Sequence, residues 1–261
     1  MKVKISNKDG KVYKIAIPSY KRPEIFRDKT LALLQKYKIP KEKIYIFLAD
    51  RQEREIYKKV IPDYCDRMFV AVPGMRNVRN FIQDWFPEGQ HVVNIDDDIK
   101  TMKIRLNDSE LGELENLDKL ILDSFKLCEK MGCSLWGIHP VHNPLFMQNK
   151  ITFGLKYIGG GVWGVINTHD KETYVTMDDK EDFERSIKFY IRDKMVMRVN
   201  YICMITDGYF GKGGMQETRT EVRVKASGMA LLQKYPMFCE YNKARKKHFE
   251  IRLVDKIKKG R

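Results

Sequence analysis

Residues 91–100 read HVVNIDDDIK, a short apolar run that ends in three adjacent aspartates, Asp96, Asp97 and Asp98. An apolar run of this length is typical of a strand that is buried on both faces of a parallel sheet. Neighbouring carboxylates repel, and each raises the pKa of the next unless a cation or strong hydrogen-bond donors intervene. Two interpretations are therefore open: the aspartates hold a divalent metal ion, or they form a solvated turn.

Three apolar runs come before this one, and helical patterns separate them. The runs are KVYKIAIPS at 11–19, IYIFLAD at 44–50 and MFVAVP at 68–73. The helical patterns are DKTLALLQKY at 28–37, with Asp28 as its N-cap, RQEREIYKKV at 51–60 and RNVRNFIQDWF at 76–86. Alternating strands and helices predict a parallel sheet, whose ligands bind beyond the carboxyl ends of the strands. We therefore expect the loops after these four strands to lie together.

The second half of the sequence predicts a mixture of strands and helices. Helices are predicted at 114–132, 181–193 and 222–236, and strands at 134–141, 151–158, 162–167 and 195–206. The whole pattern predicts an α/β fold with a mostly parallel, Rossmann-like sheet, helices on both faces and a mixed sheet in the second half. We expect a single compact domain over residues 1–241, followed by a basic tail at 242–261.

An excess of positive charge indicates an anionic partner. The chain has 261 residues, with 49 Lys and Arg against 35 Asp and Glu, and a net charge of +14. Residues 242–261 hold nine basic and two acidic side chains, which is half of that excess. Such segments favour polyanions, and nucleic acid is the leading candidate. The alternative is a solubilising or frayed terminus.

No segment is typical of a membrane-spanning or secreted protein. The longest apolar runs, such as IYIFLA and VWGVI, are far shorter than the roughly 20 residues of a transmembrane helix. The first ten residues, MKVKISNKDG, lack the apolar stretch of a signal peptide. The five cysteines are scattered without a CxxC pair, which disfavours zinc and a disulfide framework. We therefore expect a cytoplasmic protein with no membrane partner.

The three aspartates contain a DxD pattern, which favours a metal site. Alternate side chains of an extended segment point the same way, so Asp96 and Asp98 can share one face. Mg²⁺ and Mn²⁺ prefer oxygen ligands and often join one or two carboxylates to a diphosphate. Two basic segments could add anion binding: Arg76, Arg79 and Asn80 at a helix N-terminus, and Lys21-Arg22 in the SYKRP loop. Each also fits a solvated surface.

Two glycine-rich segments allow close approach of a ligand to the backbone. GGGVWG at 159–164 contains Gly160 and Gly161, and GKGGM at 211–215 could wrap phosphates around Lys212. A bulge or tight turn explains the first equally well, and a mobile surface loop explains the second. The spacing of a P-loop is absent.

Two acidic residues open the predicted helix at 181–193. Glu181 or Asp182 could be a general base that activates an acceptor hydroxyl, or both could simply stabilise the helix N-terminus. Structural roles are the simpler explanation for His139 and His142 and for the two tryptophans Trp136 and Trp163.

Several motifs, in order, resemble the TET-associated glycosyltransferase family. They are IAIPSYKRP, KYKIPKEKIYIFLA, PGMRNVRNFIQDWFPEG, HVVNIDDDI, LWGIHPVHNP and EDFERS, and the resemblance runs from about residue 13 to about residue 236. Members occur mainly in bacteriophages, the viruses of bacteria, and in some eukaryotes. They are similar to glycosyltransferases of the GT-A fold. The resemblance implies a GT-A-like fold and transfer of a sugar from a nucleotide-sugar to a hydroxymethylated pyrimidine in DNA, either 5-hydroxymethylcytosine or 5-hydroxymethyluracil.

The resemblance also implies roles for particular residues. Asp96 and Asp98 would bind Mn²⁺ or Mg²⁺, with Asp98 the first choice as direct ligand, and Asp182 would be the base of an inverting reaction, beside Glu181. The donor, a UDP-sugar with UDP-glucose as the default, would contact residues of the strand-end loops and the glycine segment. From the resemblance these are Pro18, Ser19, Tyr20, Arg22, Asp50, Arg79, Asn80, Asp96 and Asp97, and the residue patterns add Arg76, Gly160 and Gly161. A third metal ligand is not evident, although Asp207 and His248 are candidates.

Other function classes stay open from the sequence. A GT-A enzyme could act on a glycan or another acceptor that is not DNA. A metal-dependent nuclease would also use clustered carboxylates, but the sequence spaces no further acids as a nuclease core. A DNA-binding module without catalysis leaves the three aspartates unexplained.

Overall fold

The computed structural model describes residues 12–206, 220–243 and 249–259. The predicted glycine-rich segment at 211–215 and the candidate ligands Asp207 and His248 lie outside these residues. Four strands of the first half are β1 (Lys14–Ser19), β2 (Ile44–Leu48), β3 (Met68–Val70) and β4 (His91–Ile95). They lie in the order β3-β2-β1-β4 and every pair among them is parallel. The predicted parallel sheet is therefore confirmed.

The remaining strands extend this sheet as a mixed one. They are β5 (Ile99–Arg105), β6 (Leu111–Glu113), β7 (Leu135–His139), β8 (Ile151–Gly154), β9 (Val162–Ile166) and β10 (Val196–Thr206). The order continues β4-β9-β7-β10-β5-β6, with β8 beside the first part of β10. Strand β9 is antiparallel to both β4 and β7, whereas β10 is parallel to β7. The predicted mixed half is thus also confirmed.

Helices cover both faces of the sheet. They are α1 (Pro23–Phe26), α2 (Ala32–Lys36), α3 (Arg51–Val60), α4 (Met75–Trp85), α5 (Leu117–Met131), α6 (Glu181–Asp193), α7 (Glu221–Lys234) and α8 (Lys256–Lys259). A π-helical stretch, Arg27–Leu31, joins α1 to α2. Gly132 ends α5 in the left-handed conformation (φ 73°), which glycine adopts without steric cost.

Alternate strand residues fill two separate cores. Ile15 and Ile17 of β1 belong to the first core, which also receives Phe125 of α5. Ala16, between them, points into the second core with Ile82 of α4 and with α6. This alternation follows from the pleat of the strand, which sends successive side chains to opposite faces. The sheet is therefore buried on both sides in its centre.

The structure differs from the prediction at one helix boundary and in two strands. The first helix begins at Pro23, a favoured first helical residue, so Asp28 lies inside the helix and pairs with Arg27 at 2.7 Å instead of capping it. Strands β5 and β6 were not predicted. Their charged residues interrupt the apolar pattern because β6 is the edge strand of the sheet and β5 lies next to it.

The basic segment after residue 241 is partly folded onto the domain. Strand β11 (Cys239–Tyr241) pairs antiparallel with β12 (Ile251–Leu253). Ile251 joins a small third core with Ile187 of α6 and Leu231 of α7. The division of the chain at residue 241 stays a prediction, but residues 251–255 are packed and do not form a free tail.

Among the described residues, no helix combines the length and apolarity needed to cross a membrane.

Candidate active site

The three aspartates form a turn directly after β4, and the middle one is its anchor. Asp97 is 1% exposed. Its Oδ2 accepts a hydrogen bond from Ser19 Oγ at 2.5 Å, and Arg22 donates to both of its oxygens, at 2.5 and 3.2 Å. Burial raises the pKa of Asp97 to about 7, although Arg22 and Ser19 act in the opposite direction. The loop after β1 therefore holds the turn after β4.

Arg22 is the first link between the strand-end loops. Burial lowers its pKa, but the charges of the three aspartates raise it overall. Its Nη1 also lies 3.4 Å from Asp98 Oδ2. The hydroxyl of Tyr57, in α3, lies 2.7 Å from Ser19 Oγ and accepts from the backbone N–H of Arg22 at 3.1 Å. Helix α3 thus fixes the loop that holds Asp97.

Arg79 is the second link, from helix α4 to Asp96. The Arg79 side chain is 3% exposed, and its Nη2 contacts Asp96 Oδ1 at 2.8 Å. The same nitrogen donates to the carbonyl of Gly160 at 3.3 Å. Burial acts to lower the pKa of Arg79, but the charges of Asp96 and Glu181 raise it overall. The predicted anion-binding arginine is therefore already paired with a carboxylate of the turn.

Glu181 at the start of α6 is held between two arginines. Its Oε1 lies 3.6 Å from Arg79 Nε, and its Oε2 lies 2.6 Å from Arg185 Nη1. The guanidinium of Arg185 lies over the Trp163 ring, 3.9 Å from its centroid. Burial raises the pKa of Glu181 and lowers that of Arg185. Both carboxylate oxygens of Glu181 are thus engaged by cations.

Asp182, next to Glu181, is more accessible. It is only partly buried, and its Oδ2 accepts a hydrogen bond from the Tyr157 hydroxyl at 2.5 Å. The ring of Tyr157 packs against Phe183, with the two centroids 4.3 Å apart. This packing orients the Tyr157 hydroxyl toward the Asp182 carboxylate. Of the two predicted acids, Asp182 is the less buried, and its Oδ1 accepts from the backbone N–H of Phe183 at 2.9 Å.

Gly160 and Gly161 bring the backbone close to these side chains. A Cβ on Gly160 would lie 3.6 Å from Glu181 Oε1, and one on Gly161 would lie 2.1 Å from Met204 Cε. The carbonyl of Gly161 accepts from the backbone N–H of Asp96 at 2.9 Å. The hydrogen bond joins the glycine segment to the aspartate turn. A Cβ on Gly161 would require Met204 to move, whereas the distance at Gly160 is an ordinary van der Waals contact.

Asp96 and Asp98 are the carboxylates of the turn that face solvent. Their side chains are 32% and 24% exposed. Burial and the neighbouring charge of Asp96 raise the pKa of Asp98. Partly exposed carboxylates that repel each other are a donor set suited to one hard divalent cation, which two carboxylates and substrate phosphates can share. Among the described residues, no group of three or more acidic, His or Cys side chains is arranged to hold a metal.

Several residues predicted to contact the sugar donor lie in the same region, but in the structure they bond other protein groups. Asn80 and Arg76 bond the segment after β9, through the backbone of Val175 and Thr176 at 2.9 and 3.2 Å. Asp50 caps α3 by accepting from the Glu53 N–H at 2.9 Å. Their role in donor binding stays a prediction.

For four other residues singled out in the sequence, the structure shows only their place in the fold or a local contact. Pro18 lies in β1 opposite Phe47, while Tyr20 is 37% exposed just after the strand. His139 Nδ1 lies 2.8 Å from the carbonyl of Val141. Trp136 is fully buried in the first core.

Sequence reasoning missed Arg185, Tyr157 and Tyr57. Arg185 follows Glu181 by four residues, a spacing at which helical side chains meet, so this pair could have been predicted. Tyr157 and Tyr57 carry no such local signal, because their partners Asp182 and Ser19 are distant in sequence.

The fold is similar to that of solved glycosyltransferases. TarS 1-349 from S. aureus aligns with a TM-score of 0.54 and 13% identity over 84% of this chain and 65% of that chain. Its complex with UDP-GlcNAc gives a TM-score of 0.55, with 14% identity, 84% of this chain and 66% of that chain. The mannosyltransferase PcManGT from Pyrobaculum calidifontis, in complex with GDP-Man and Mn²⁺, gives 0.51, with 12% identity, 84% of this chain and 64% of that chain.

No protein-family model and no curated protein matches the sequence. The chain spans slightly less than two thirds of the solved chains to which it is similar. At 12–14% identity the likeness concerns the fold, and the membership of the TET-associated family stays a prediction. The chain thus has the α/β fold of GT-A glycosyltransferases, with the aspartate turn at the carboxyl end of β4.

Proposed function

We propose that the chain is a glycosyltransferase that moves a sugar from a nucleotide-sugar to the hydroxymethyl group of a 5-hydroxymethylpyrimidine in DNA. One observation carries this proposal. Asp182, a partly exposed carboxylate oriented by Tyr157, is joined to the aspartate turn through the adjacent Glu181, which pairs with Arg79. A candidate base and a candidate metal site are thereby held at one end of the sheet, in a chain with the GT-A fold.

The donor would bind at the aspartate turn. Asp96 and Asp98 would hold Mn²⁺ or Mg²⁺, and the SYKRP loop with Ser19, Tyr20 and Arg22 would contact the nucleoside. A bound metal ion neutralises the charge of a leaving nucleoside diphosphate. Structures of similar fold are described with UDP-GlcNAc and with GDP-Man and Mn²⁺, which supports a nucleotide-sugar donor. We propose a UDP-sugar, with UDP-glucose as the first donor to test.

Asp182 would act as the general base in a direct displacement. Its carboxylate takes the proton of the hydroxymethyl group while that oxygen forms a bond to the anomeric carbon of the sugar. The bond between this carbon and the diphosphate oxygen breaks, and the electron pair leaves with the nucleoside diphosphate. The configuration at the anomeric carbon is inverted. Glu181, engaged by Arg79 and Arg185, holds the start of α6 in position.

The acceptor assignment is supported by charge. The net charge of +14 favours a polyanion, and phosphate contacts bind DNA regardless of its sequence. A base inside a duplex must leave the stack before it can reach an enclosed site. The basic surface, including the basic residues of 242–261, would hold the DNA backbone. A nuclease with two metal ions is less well supported, because no group of three or more acidic, His or Cys side chains among the described residues is arranged to hold metal ions.

A transfer assay tests donor and acceptor together. The protein is mixed with Mn²⁺, a panel of nucleotide-sugars and DNA that contains 5-hydroxymethylcytosine or 5-hydroxymethyluracil, and the digested nucleosides are weighed by mass spectrometry. We expect a gain of one sugar mass on one modified nucleoside. Donor hydrolysis without any gain on DNA would retain the glycosyltransferase but replace the acceptor by a glycan or another molecule.

Asp98→Ala tests the metal assignment in the same assay. We expect transfer to be lost because one of the two proposed ligands is removed. Asp123→Ala is the matched control, because Asp123 is an exposed acid on α5, far from the proposed site, that pairs with Lys119. Full transfer by Asp98→Ala would remove Asp98 from the metal site.

Asp182→Asn tests the proposed base. The amide keeps the shape of the side chain but cannot take a proton, so we expect kcat to fall by about 10²–10⁴-fold. The KM for the donor should change little, since Asp182 does not contact the aspartate turn directly. Unchanged kcat would indicate a different base or a retaining reaction.

A further inference from the structure

Three positively charged residues, Lys150, Lys156 and Arg198, lie near one another on β10 and on the segments either side of β8; we refer to them as the basic cluster. Lys156 directly precedes Tyr157, whose hydroxyl bonds Asp182. Arg198 Nη1 donates to the carbonyl of Tyr157 at 3.4 Å. The basic cluster is therefore connected to the candidate base through a single residue.

The position of Arg198 is fixed by buried neighbours. Its Nε donates to Asn200 Oδ1 at 2.7 Å, and Asn200 Nδ2 donates to the carbonyl of Lys150 at 3.1 Å. Asn200 is 2% exposed. In β10 the neighbours Met197 and Val199 point into the first core, so Arg198 lies on the opposite face of the sheet, the face that α6 covers. The guanidinium is thus held in one orientation on the side of Asp182.

The basic cluster has no acidic partner among the described residues. Elsewhere on the described surface, Lys and Arg side chains commonly pair with carboxylates, as Lys119 does with Asp123. Burial lowers the pKa of Arg198, and burial with the charges of Arg198 and Lys150 lowers that of Lys156. Like charges that remain unpaired near each other destabilise the fold unless an anion binds between them. The arrangement therefore favours an anionic ligand.

An exposed apolar tip adjoins the basic cluster. Leu145 and Phe146 are each 67% exposed. The chain after them lies next to the cluster, because the backbone N–H of Gln148 donates to the carbonyl of Asn200 at 3.3 Å and Asn200 Oδ1 accepts from Arg198. Cations beside an exposed aromatic ring are the combination that nucleic acids fit, since phosphates meet the cations and unstacked bases meet the ring.

We infer that Lys150, Lys156 and Arg198 bind phosphates of the acceptor DNA backbone, that Phe146 contacts an unstacked base, and that these contacts bring the modified nucleotide to Asp182. This inference rests on the proposed function and adds the acceptor subsite to it. It separates two regions of the site: the aspartate turn for the donor, and the segment between β7 and β9 with β10 for the acceptor.

The salt dependence of DNA binding tests the inference without catalysis. Anisotropy of a labelled duplex with one 5-hydroxymethylcytosine is measured from low to high salt for the wild-type chain and for Lys150→Gln/Lys156→Gln. The slope of log K against log salt is negative, and each lost phosphate contact makes it less steep by about 0.9. For the double variant we expect the slope to become less steep by about 1.8. Lys126→Gln/Lys130→Gln on α5, which packs on the first core, removes two charges from the opposite face and should leave the slope unchanged.

Steady-state kinetics give the second readout. For the Lys150→Gln/Lys156→Gln variant we expect a higher KM for DNA, with kcat and the KM for the nucleotide-sugar unchanged. A higher donor KM with an unchanged DNA KM would assign the basic cluster to the donor diphosphate and overturn the inference. Equal changes of slope in both double variants would mean that only the net charge matters, and this result would also overturn the inference.

A separate variant tests the apolar tip. Phe146→Ser should weaken binding of single-stranded DNA several-fold, because one stacking contact is lost, while the salt slope stays the same. Unchanged affinity would remove Phe146 from the subsite. If no DNA is modified in the transfer assay but the slope still falls as expected, the DNA contact stands and the proposed chemistry fails. The two results are thus distinguishable.

Discussion

Arg79→Met removes the guanidinium that joins the aspartate turn to α6. The side chain is 3% exposed and contacts two carboxylates, Asp96 at 2.8 Å and Glu181 at 3.6 Å. Removing one partner of a buried ion pair costs about 3–5 kcal/mol, because the other charge stays buried without compensation. Asp96 is one-third exposed and can recruit water, and Glu181 keeps Arg185. We therefore expect the lower end, a loss of about 3 kcal/mol in the free energy of unfolding.

Urea denaturation followed by circular dichroism measures this loss. The matched control is Arg76→Met, which removes an exposed arginine from the first turn of the same helix and should cost less than about 1 kcal/mol. A double-mutant cycle with Glu181→Gln isolates the contribution of the pair. We expect a coupling of about 1–3 kcal/mol, because the neutral amide no longer needs the missing cation.

Two results would refute this reasoning. A loss below about 1 kcal/mol for Arg79→Met would mean that the guanidinium is not needed to balance the buried carboxylates. Additive effects of Arg79→Met and Glu181→Gln would mean that the two side chains do not interact. In either case the link between the aspartate turn and α6 would need another explanation.

Three further predictions concern other parts of the molecule. Burial acts to raise the pKa of Glu184, but hydrogen bonds from Thr176 and Lys234 outweigh burial and hold this pKa below its usual 4.5. The ionised carboxylate therefore stabilises the fold at neutral pH. Unfolding free energy should fall as pH drops below about 4.5, and this fall should be shallower in Glu184→Gln; identical acid titrations would contradict it. Gly164→Ala places a Cβ 2.1 Å from Nε1 of the buried Trp136, which should cost about 1–3 kcal/mol and lower the Tm in calorimetry; an unchanged Tm would show that Trp136 can move. Chelation by EDTA should abolish sugar transfer and added Mn²⁺ or Mg²⁺ should restore it, whereas persistent transfer would argue against a metal-dependent reaction.

The first half of the fold could be predicted because its strands are continuous apolar runs. Central parallel strands are buried on both faces, so β2 is almost wholly apolar and the two polar residues of β4, His91 and Asn94, are buried. Because parallel strands end at one edge of a sheet, the same runs also predict that the SYKRP loop, the start of α4 and the aspartates lie together. The contacts of Arg22 and Arg79 with the turn confirm that clustering.

The parts that could not be predicted from the sequence depend on contacts between residues far apart in the chain, which no local pattern encodes. Strand β5 carries Lys100 and Lys103, and it becomes a strand through its pairing with β6 and with β10, about 100 residues later. The role of Asp97 as the buried anchor depends on Ser19 and Arg22, more than 70 residues earlier. The basic cluster likewise brings together side chains of β10 and of the segments on either side of β8. Such residues look like ordinary surface charges in the sequence.

The order of strands in the sheet has a consequence for synthesis of the chain. Strand β4 lies between β1 and β9, and all five of its residues are buried. On the ribosome, β9 emerges about 70 residues after β4, which takes roughly 4–14 s at typical elongation rates. During this interval the nascent chain presents an open, apolar strand edge that can pair with other chains. A fragment that stops before β9 keeps that edge permanently, so we expect it to aggregate, whereas the longer chain closes the edge with its own second half.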